Sequence, residues 1–485
     1  MTKTFDAGDV TLERVREYVW EVPQTGDMRV PARVLASEAL LEEIKQDKTL
    51  EQITNTTHLP GIQNYAICMP DGHQGYGFPV GGVAAIDAED GCISPGAVGY
   101  DINCGVRMLT TNLTYEDIQG REQELVDALF EAVPSGLGGG GVIQNAPVDE
   151  ILDRGVEWAV EQGYGVESDL AHCEDEGIRP DADPSAVSQK AKDRGRNQVG
   201  SLGSGNHFLE IQRVTDIFRE DVAAEFGLER DQIVVLIHCG SRGLGHQVCT
   251  DYLREIEQTH QGLLNQLPDK ELAAAPAGSQ LAEQYYGAMC AAINFAWVNR
   301  QLIMHQTRVV FADVFDRDWQ AMEMELLYDV AHNIAKRESH DIDGEDREVF
   351  VHRKGATRAF PAGRPELPDA YSDVGQPILI PGSMGAGSYI LRGGENSLSE
   401  TFGSTAHGAG RLMSRTQAKN EFWGEDVQDD LREQEHIYVK AQSGATVAEE
   451  APGVYKDVDE VVGVSDALGI GDKVARTYPV CNIKG

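Results

Sequence analysis

Ile233-Val234-Val235-Leu236-Ile237-His238-Cys239-Gly240-Ser241-Arg242-Gly243 begins with five apolar residues, four of them β-branched. A short apolar run with no polar alternation, closed by glycine, reads as a strand buried on both faces. Loops at the end of a rigid strand commonly carry function. His238 is therefore a candidate ligand, and Arg242 a candidate phosphate contact.

Outward from this strand the pattern stays mixed. Strands are expected at 18–22 and 28–34, and an amphipathic helix at 37–46. Residues 60–107 are Gly-rich and read as a turn-dense block. Helical periodicity marks 114–133, 251–264 and 280–298. Leu327, Val330, Ala331 and Ile334 fall at i, i+3, i+4 and i+7, which predicts a further helix over 322–337. Residues 136–142 form a Gly-rich loop. The stretch 163–197 is the most polar, with Pro180-Asp181-Ala182-Asp183-Pro184 as a turn signal, and is expected to be a surface excursion. There is no internal repeat and no βαβ rhythm. The expected architecture is α+β: one large domain over 1–485, with mixed β-sheets surrounded by helices.

Asp and Glu number 79 against 41 Lys and Arg, for a net charge of −38. Nucleic-acid binders ordinarily lean basic, because their cations replace phosphate counterions. Here the acid is dispersed, as in Glu174-Asp175-Glu176 and Glu449-Glu450. Dispersed acid suits a high-salt cytoplasm (halophilic adaptation). At 1 M salt the Debye length is about 3 Å, so local contacts decide binding. The eight cysteines form no Cys-x-x-Cys pair, and reduced, intracellular thiols are expected. The N-terminus lacks an apolar core and no run approaches ~18 apolar residues. A cytoplasmic protein with no membrane partner is expected.

Several short motifs can carry chemistry. In Tyr100-Asp101-Ile102-Asn103-Cys104-Gly105 a carboxylate and a thiol three apart can meet at one metal, and a thiolate can bridge two. A turn Asp and a buried Cys explain the spacing equally well. In Gly205-Asn206-His207-Phe208-Leu209-Glu210 a strand would place Asn206, Phe208 and Glu210 on one face and His207 on the other. A carboxylate such as Glu210 is a natural acceptor for paired N–H donors; an ordinary amphipathic strand fits too. His332-Asn333 lies on the expected 322–337 helix, beside its apolar stripe. His352-Arg353-Lys354-Gly355-Ala356-Thr357-Arg358 is basic within an acidic chain and reads as a phosphate-binding patch. Pro381-Gly382-Ser383-Met384-Gly385-Ala386-Gly387-Ser388 and Ala406-His407-Gly408-Ala409-Gly410-Arg411 are small-residue loops that let backbone N–H groups approach an oxyanion. Framed by Ala and Gly, His407 is sterically open, as an attacking imidazole must be.

Together these motifs, with Met69-Pro70-Asp71-Gly72-His73-Gln74-Gly75-Tyr76-Gly77, resemble the RtcB family of RNA ligases. The resemblance runs from about Pro60 to Lys484-Gly485. It implies an RtcB-like fold and GTP-dependent joining of RNA ends carrying a 2′,3′-cyclic phosphate or 3′-phosphate to 5′-hydroxyl ends, in tRNA splicing and RNA repair. By that resemblance His407 carries GMP. Asp101, Cys104 and His207 hold one Mn²⁺; Cys104, His238 and His332 hold a second. GTP and GMP are held by Asn206, His207, Phe208, Leu209, Glu210, His332, Asn333, Pro381, Gly382, Ser383, Met384, Ser388, His407, Gly408, Ala409, Gly410 and Lys484. Arg242, Arg353, Lys354, Arg358 and Arg415 are expected to meet RNA phosphates. Expected partners are tRNA halves, broken RNA ends and an archease-type activator protein. The chain has neither the Lys-x-Asp-Gly of lysine-nucleophile ligases nor a Gly-Lys P-loop. The rival reading is a dinuclear metallo-phosphodiesterase or phosphatase acting on RNA ends, which explains the ligands but not the Gly-rich loops or His407.

Overall fold

The structure is a computed structural model that describes residues 3–136 and 140–485. The first two residues of the N-terminus, and Leu137–Gly139 of the Gly-rich loop expected at 136–142, lie outside the described residues. The 233–237 run forms the strand Ile233–Cys239, and every residue of it is buried. Gly105–Leu109 and Phe208–Ile217 flank it, both antiparallel. Leu326–Ala331 extends the sheet beyond Gly105–Leu109. Gly471–Lys484, Ser388–Gly393 and Pro377–Ile380 extend it on the other side, with Tyr438–Ala441 paired parallel to Gly471–Lys484. The helix Gln280–Phe315 runs 36 residues and is buried over most of its length, well past the 280–298 expected. Its Ile303, Met304 and Phe311 pack on Ile233, Val235 and Ile237, which is why the helix is apolar nearly all round. Strands and helices mix without a βαβ repeat, as the α+β reading expects. Among the described residues no helix is long and apolar enough to cross a membrane.

A second eight-stranded sheet runs in the order Thr4–Asp6, Thr11–Arg16, Val19–Val22, Ala32–Leu35, Ile62–Tyr76, Phe78–Asp87, Glu345–Lys354, Asn333–Ile342. Two expectations fail here. The 60–107 block is largely a long hairpin, Ile62–Tyr76 with Phe78–Asp87, rather than turns. Its glycines mark close backbone approach: a Cβ on Gly81 would lie 2.8 Å from Gly72 Cα. The helix predicted over 322–337 is instead two strands, Leu326–Ala331 and Asn333–Ile342. Leu326–Ala331 is buried throughout, so it shows no strand alternation, and its apolar run mimics a helical stripe. The first strand belongs to one sheet and the second to the other, so the chain passes between sheets at His332.

The polar stretch 163–197 is not simply a surface excursion. Asp169, Cys173 and Glu174 are buried within it. Asp169 takes two hydrogen bonds of 2.8 Å from Arg308 of the long helix. Glu174 accepts from Lys336 Nζ at 2.7 Å and from Ala331 N at 2.8 Å.

These buried acids also explain the basic run at 352–358, and they overturn its reading as a phosphate patch. Arg353 is fully buried and forks onto Glu338. Arg358 is buried against Glu174 at 3.3 Å and Asp175 at 3.1 Å. Lys354 directs Nζ at the carbonyls of Tyr76, Phe78 and Gly96, at 2.8–3.0 Å, which occupies its three N–H donors. Burial lowers its pKa to about 8. Arg353 and Arg358 neutralise interior acids, and Lys354 braces the backbone at three carbonyls. Arg358→Leu leaves two carboxylates short of a cation and is expected to lower stability by about 3–5 kcal/mol. A urea denaturation midpoint unchanged from wild type would contradict this.

Candidate active site

Strand register brings the candidate ligand residues together. Cys104 immediately precedes Gly105–Leu109, and His207 immediately precedes Phe208–Ile217. His238 is next to last in Ile233–Cys239, and His332 immediately follows Leu326–Ala331. His238 pairs with Val106 on one side and Phe208 on the other, while Ala331 pairs with Gly105. Antiparallel pairing thus stacks four strand ends along one sheet edge, and Asp101 joins them from the preceding turn. Gly240 permits this, since a Cβ there would lie 2.3 Å from Asp101 Oδ1.

The donor atoms fall into two sets that share one thiol. Asp101, Cys104 and His207 form the first; Cys104, His238 and His332 form the second; within each set the atoms lie within 4.8 Å of one another. Cys104 Sγ is 3.4 Å from His207 Nε2 and 3.2 Å from His238 Nε2. His238 Nε2 is 3.3 Å from His332 Nε2, and His207 Nε2 is 2.8 Å from Asp101 Oδ2. His207 Nδ1–H donates to Leu202 O at 2.9 Å and His238 Nδ1–H to Asn206 O at 3.2 Å. Those carbonyls take both Nδ1 protons and aim both Nε2 atoms inward, the atoms a metal would take; without one, His207 Nε2 keeps its proton against Asp101. Burial holds His238 and His332 well below the ordinary histidine range, hence neutral. Burial works against the Asp101 carboxylate, but His207 and Arg242 outweigh it and hold Asp101 at about 2. Burial pushes the Cys104 thiol up to about 12. One carboxylate, one thiol and three imidazoles sharing a sulfur fit two divalent ions, and donor softness admits zinc as readily as manganese.

Beneath the ligands lies a floor of buried charge. Arg300 of the long helix forks onto Asp329 with two bonds of 2.8 Å. The same guanidinium donates to Asn103 O at 2.8 Å and Cys239 O at 2.7 Å. Its neighbour Asn299 accepts from Gly200 N and Ser201 N, and donates to Gly240 O. Two consecutive side chains of one helix therefore hold the backbone next to Cys104 and His238, and the loop leading to His207.

His407 follows the strand Ser404–Ala406, whose Ala406 pairs with Ala356. Its ring sits edge-on to His332, 4.8 Å between centroids. The fully buried Asp71 accepts from His407 Nδ1 at 2.6 Å, His407 N at 3.0 Å and Gly408 N at 3.2 Å, all at Oδ2. A carboxylate can only accept here, so Nδ1 carries a proton, and in the neutral ring the lone pair is on Nε2. Burial opposes ionisation of Asp71, and the facing His407 outweighs it and keeps the carboxyl low.

A cavity of about 270 Å³ opens in front of His407 and the ligands. Asn206, Phe208, His332, Asn333, Pro381, Gly382, Ser383, the loop 407–410 and Lys484 line it. These are residues assigned to the nucleotide by resemblance. Others of that set lie behind the wall. Leu209 and Met384 are core residues. Ser388 Oγ accepts from Gly382 N at 3.2 Å and so shapes the loop. Glu210 is buried, bonded to Asn482 and Gln212, and burial raises its carboxyl to about 7. His207 faces an adjacent cleft with Arg242 and Arg415. Three residues of the site carried no individual signal. Asp71 and Arg411 stood inside quoted motifs without a role. Glu450 is buried, accepts from Arg411 at 3.0 Å and from Tyr455, and lies 3.8 Å from Lys484 Nζ. Only spatial closeness identifies them, across 336 residues for Asp71 and His407 and 39 for Arg411 and Glu450.

A family model described as "tRNA-splicing ligase RtcB" matches residues 52–485. A protein named tRNA-splicing ligase RtcB from Thermococcus kodakarensis is 55% identical over 479 residues, covering 98% of this chain and 99% of that one. Proteins of the same name from Aeropyrum pernix and Archaeoglobus fulgidus are 53% and 51% identical over 478 residues each. They cover 97% and 98% of this chain, and 99% of their own lengths.

Two outcomes follow from the geometry. Metal uptake is expected to release protons, because buried Cys104 is a thiol at neutral pH and must ionise to ligate. Affinity then rises with pH and weakens as pH falls. Calorimetry in buffers of different ionisation enthalpy reads this, and zero proton release would contradict it. Asp71→Ala should remove the acceptor for Nδ1–H, so ring ¹⁵N NMR of His407 should show mixed tautomers in place of one. A spectrum identical to wild type would contradict the role given to Asp71.

Proposed function

The chain belongs to the RtcB family and is an RNA ligase of tRNA splicing, and on that premise we propose that it works with GTP and two manganese ions through a guanylylated His407. One observation carries this reading: the bare Nε2 of His407, fixed by Asp71, opens beside two metal-ligand sets that share Cys104. Bound metal ions would neutralise phosphate charge during transfer. Nε2 attacks the α-phosphorus of GTP; a P–N bond forms, the bond to pyrophosphate breaks, and pyrophosphate leaves. Asp71 keeps the Nδ1 proton and stabilises the positive ring that results. The backbone N–H group of Ser383 suits a phosphate oxygen, Phe208 offers a face to the base, and Lys484 adds a cation. An RNA 3′-phosphate then takes GMP from Nε2, the 5′-hydroxyl of a second RNA attacks the activated end, and GMP departs. RNA ends bearing a 2′,3′-cyclic phosphate enter after opening to the 3′-phosphate.

The substrates in this reading are tRNA halves and broken RNA ends, in a single catalytic domain that an archease-type protein activates. Dispersed acid suits a salty cytoplasm, where RNA is held by close contacts rather than by long-range attraction. The test uses α-labelled GTP with manganese. Acid-labile, hydroxylamine-sensitive label should form on the wild type and vanish in His407→Ala and in Cys104→Ala. Label persisting in His407→Ala sinks the nucleophile; a near-normal rate in Cys104→Ala sinks the shared thiolate. Opening of cyclic-phosphate RNA without GTP, and without any covalent label, would favour the metallo-phosphodiesterase reading.

A further inference from the structure

Next to the nucleotide cavity is a second cleft, of about 620 Å³, which Tyr100, Asp101 and Arg415 border on both sides. That volume lies within the range of small-ligand sites, about 300–1,000 Å³. Arg194, Arg242 and Arg415 face it, a local concentration of guanidinium groups in a chain of net charge −38. It also holds an aromatic pile outside the ligand sets, in which Tyr100 borders both spaces and His246 faces this cleft. The exposed ring of His246 stacks on Tyr100, 4.8 Å between centroids at 27°. Tyr76 braces Tyr100 edge-on at 5.6 Å and 65°. Arg242 and His246 come from the start of the helix Arg242–Thr259 and line the same cleft, which sets a cation near a flat ring. Tyr100 is also the residue before the ligand Asp101.

Flat rings beside guanidinium groups are how single-stranded nucleic acid is held without regard to sequence, since every base has a π-face. Stacking does not depend on counterion release, so it keeps its strength in salt that weakens phosphate contacts. We propose that His246, backed by Tyr100, is the stacking platform for the terminal base of the RNA strand that presents its 3′-phosphate to the metals. The base lies on the open face of His246. Arg242 and Arg194 take the adjoining backbone phosphates, and the terminal phosphate reaches past Asp101 toward His407. This makes His246 a positioning residue, and it rests on the RNA-ligase reading above.

The test measures KM for transfer of GMP to a single RNA oligonucleotide ending in a 3′-phosphate, with GTP and manganese. A second oligonucleotide is identical but abasic at its last nucleotide. Wild type should show a KM about tenfold or more higher for the abasic end, the effect of one lost stack. His246→Ala should raise KM for the normal end by a similar factor and abolish the difference between the two RNAs. His246→Phe should restore both, and thermal unfolding reports that each variant is folded. If wild type transfers no GMP to either RNA, the ligase reading itself fails. If it transfers GMP and the abasic end costs nothing, or still costs tenfold in His246→Ala, this proposal alone is overturned. Sensitivity confined to an abasic nucleotide at the 5′-hydroxyl end in the joining reaction would overturn the assignment of strand.

Discussion

Asp329 takes two guanidinium groups at once, from Arg107 and Arg300, and all three side chains are fully buried. Burial works against the Asp329 carboxylate, and the two cations hold it ionised. Such a cluster is a weak source of net stability, because desolvation offsets much of the attraction. Its value is positional. Asp329 lies on Leu326–Ala331, the strand that leads to His332. Arg107 lies on the strand that follows Cys104, and Arg300 also grips the carbonyls of Asn103 and Cys239. Three ligand-bearing segments are thus indexed to one helix by bonds that tolerate little slack. Removing one partner strands buried charge, so the fold and the ligand geometry are lost together.

The same logic runs through the molecule. The chain is acidic overall, yet it places cations such as Arg353, Arg358, Lys336 and Arg308 inside, each against a buried carboxylate. These four cations face buried carboxylates, while buried Lys354 is held by carbonyls instead. Arg194, Arg242 and Arg415 face the cleft beside the active site, where they can meet a polyanion. An RNA-handling protein with a net charge of −38 is then not a contradiction. It needs local guanidinium groups and flat rings, not a basic surface.

Much of this was legible in the sequence. The run 233–239 announced a buried strand with a ligand at its end, and the structure places His238 there. The small-residue loops around 381–388 and 407–411 pointed to backbone approaching an oxyanion; Pro381, Gly382, Ser383 and 407–411 line the cavity, while 384–388 do not. What misled was burial. Leu326–Ala331 is apolar on both faces and imitated a helix. The basic run 352–358 looked like a phosphate site because its acidic partners lie at 174, 175 and 338, out of sight of any local pattern. Asp71 was invisible for the same reason, being 336 residues from the histidine it orients. Spacing reveals periodicity and turns; it does not reveal pairings that only tertiary packing creates.

The central claim is that one thiolate joins two metal sets beside a histidine whose Nε2 is free. Anomalous diffraction from crystals equilibrated with manganese tests it most directly. The account predicts two separate peaks, both bonded to Cys104 Sγ, one also to Asp101 and His207, the other to His238 and His332, with His407 Nε2 facing them. A single peak, or two peaks neither of which touches Cys104, would contradict it.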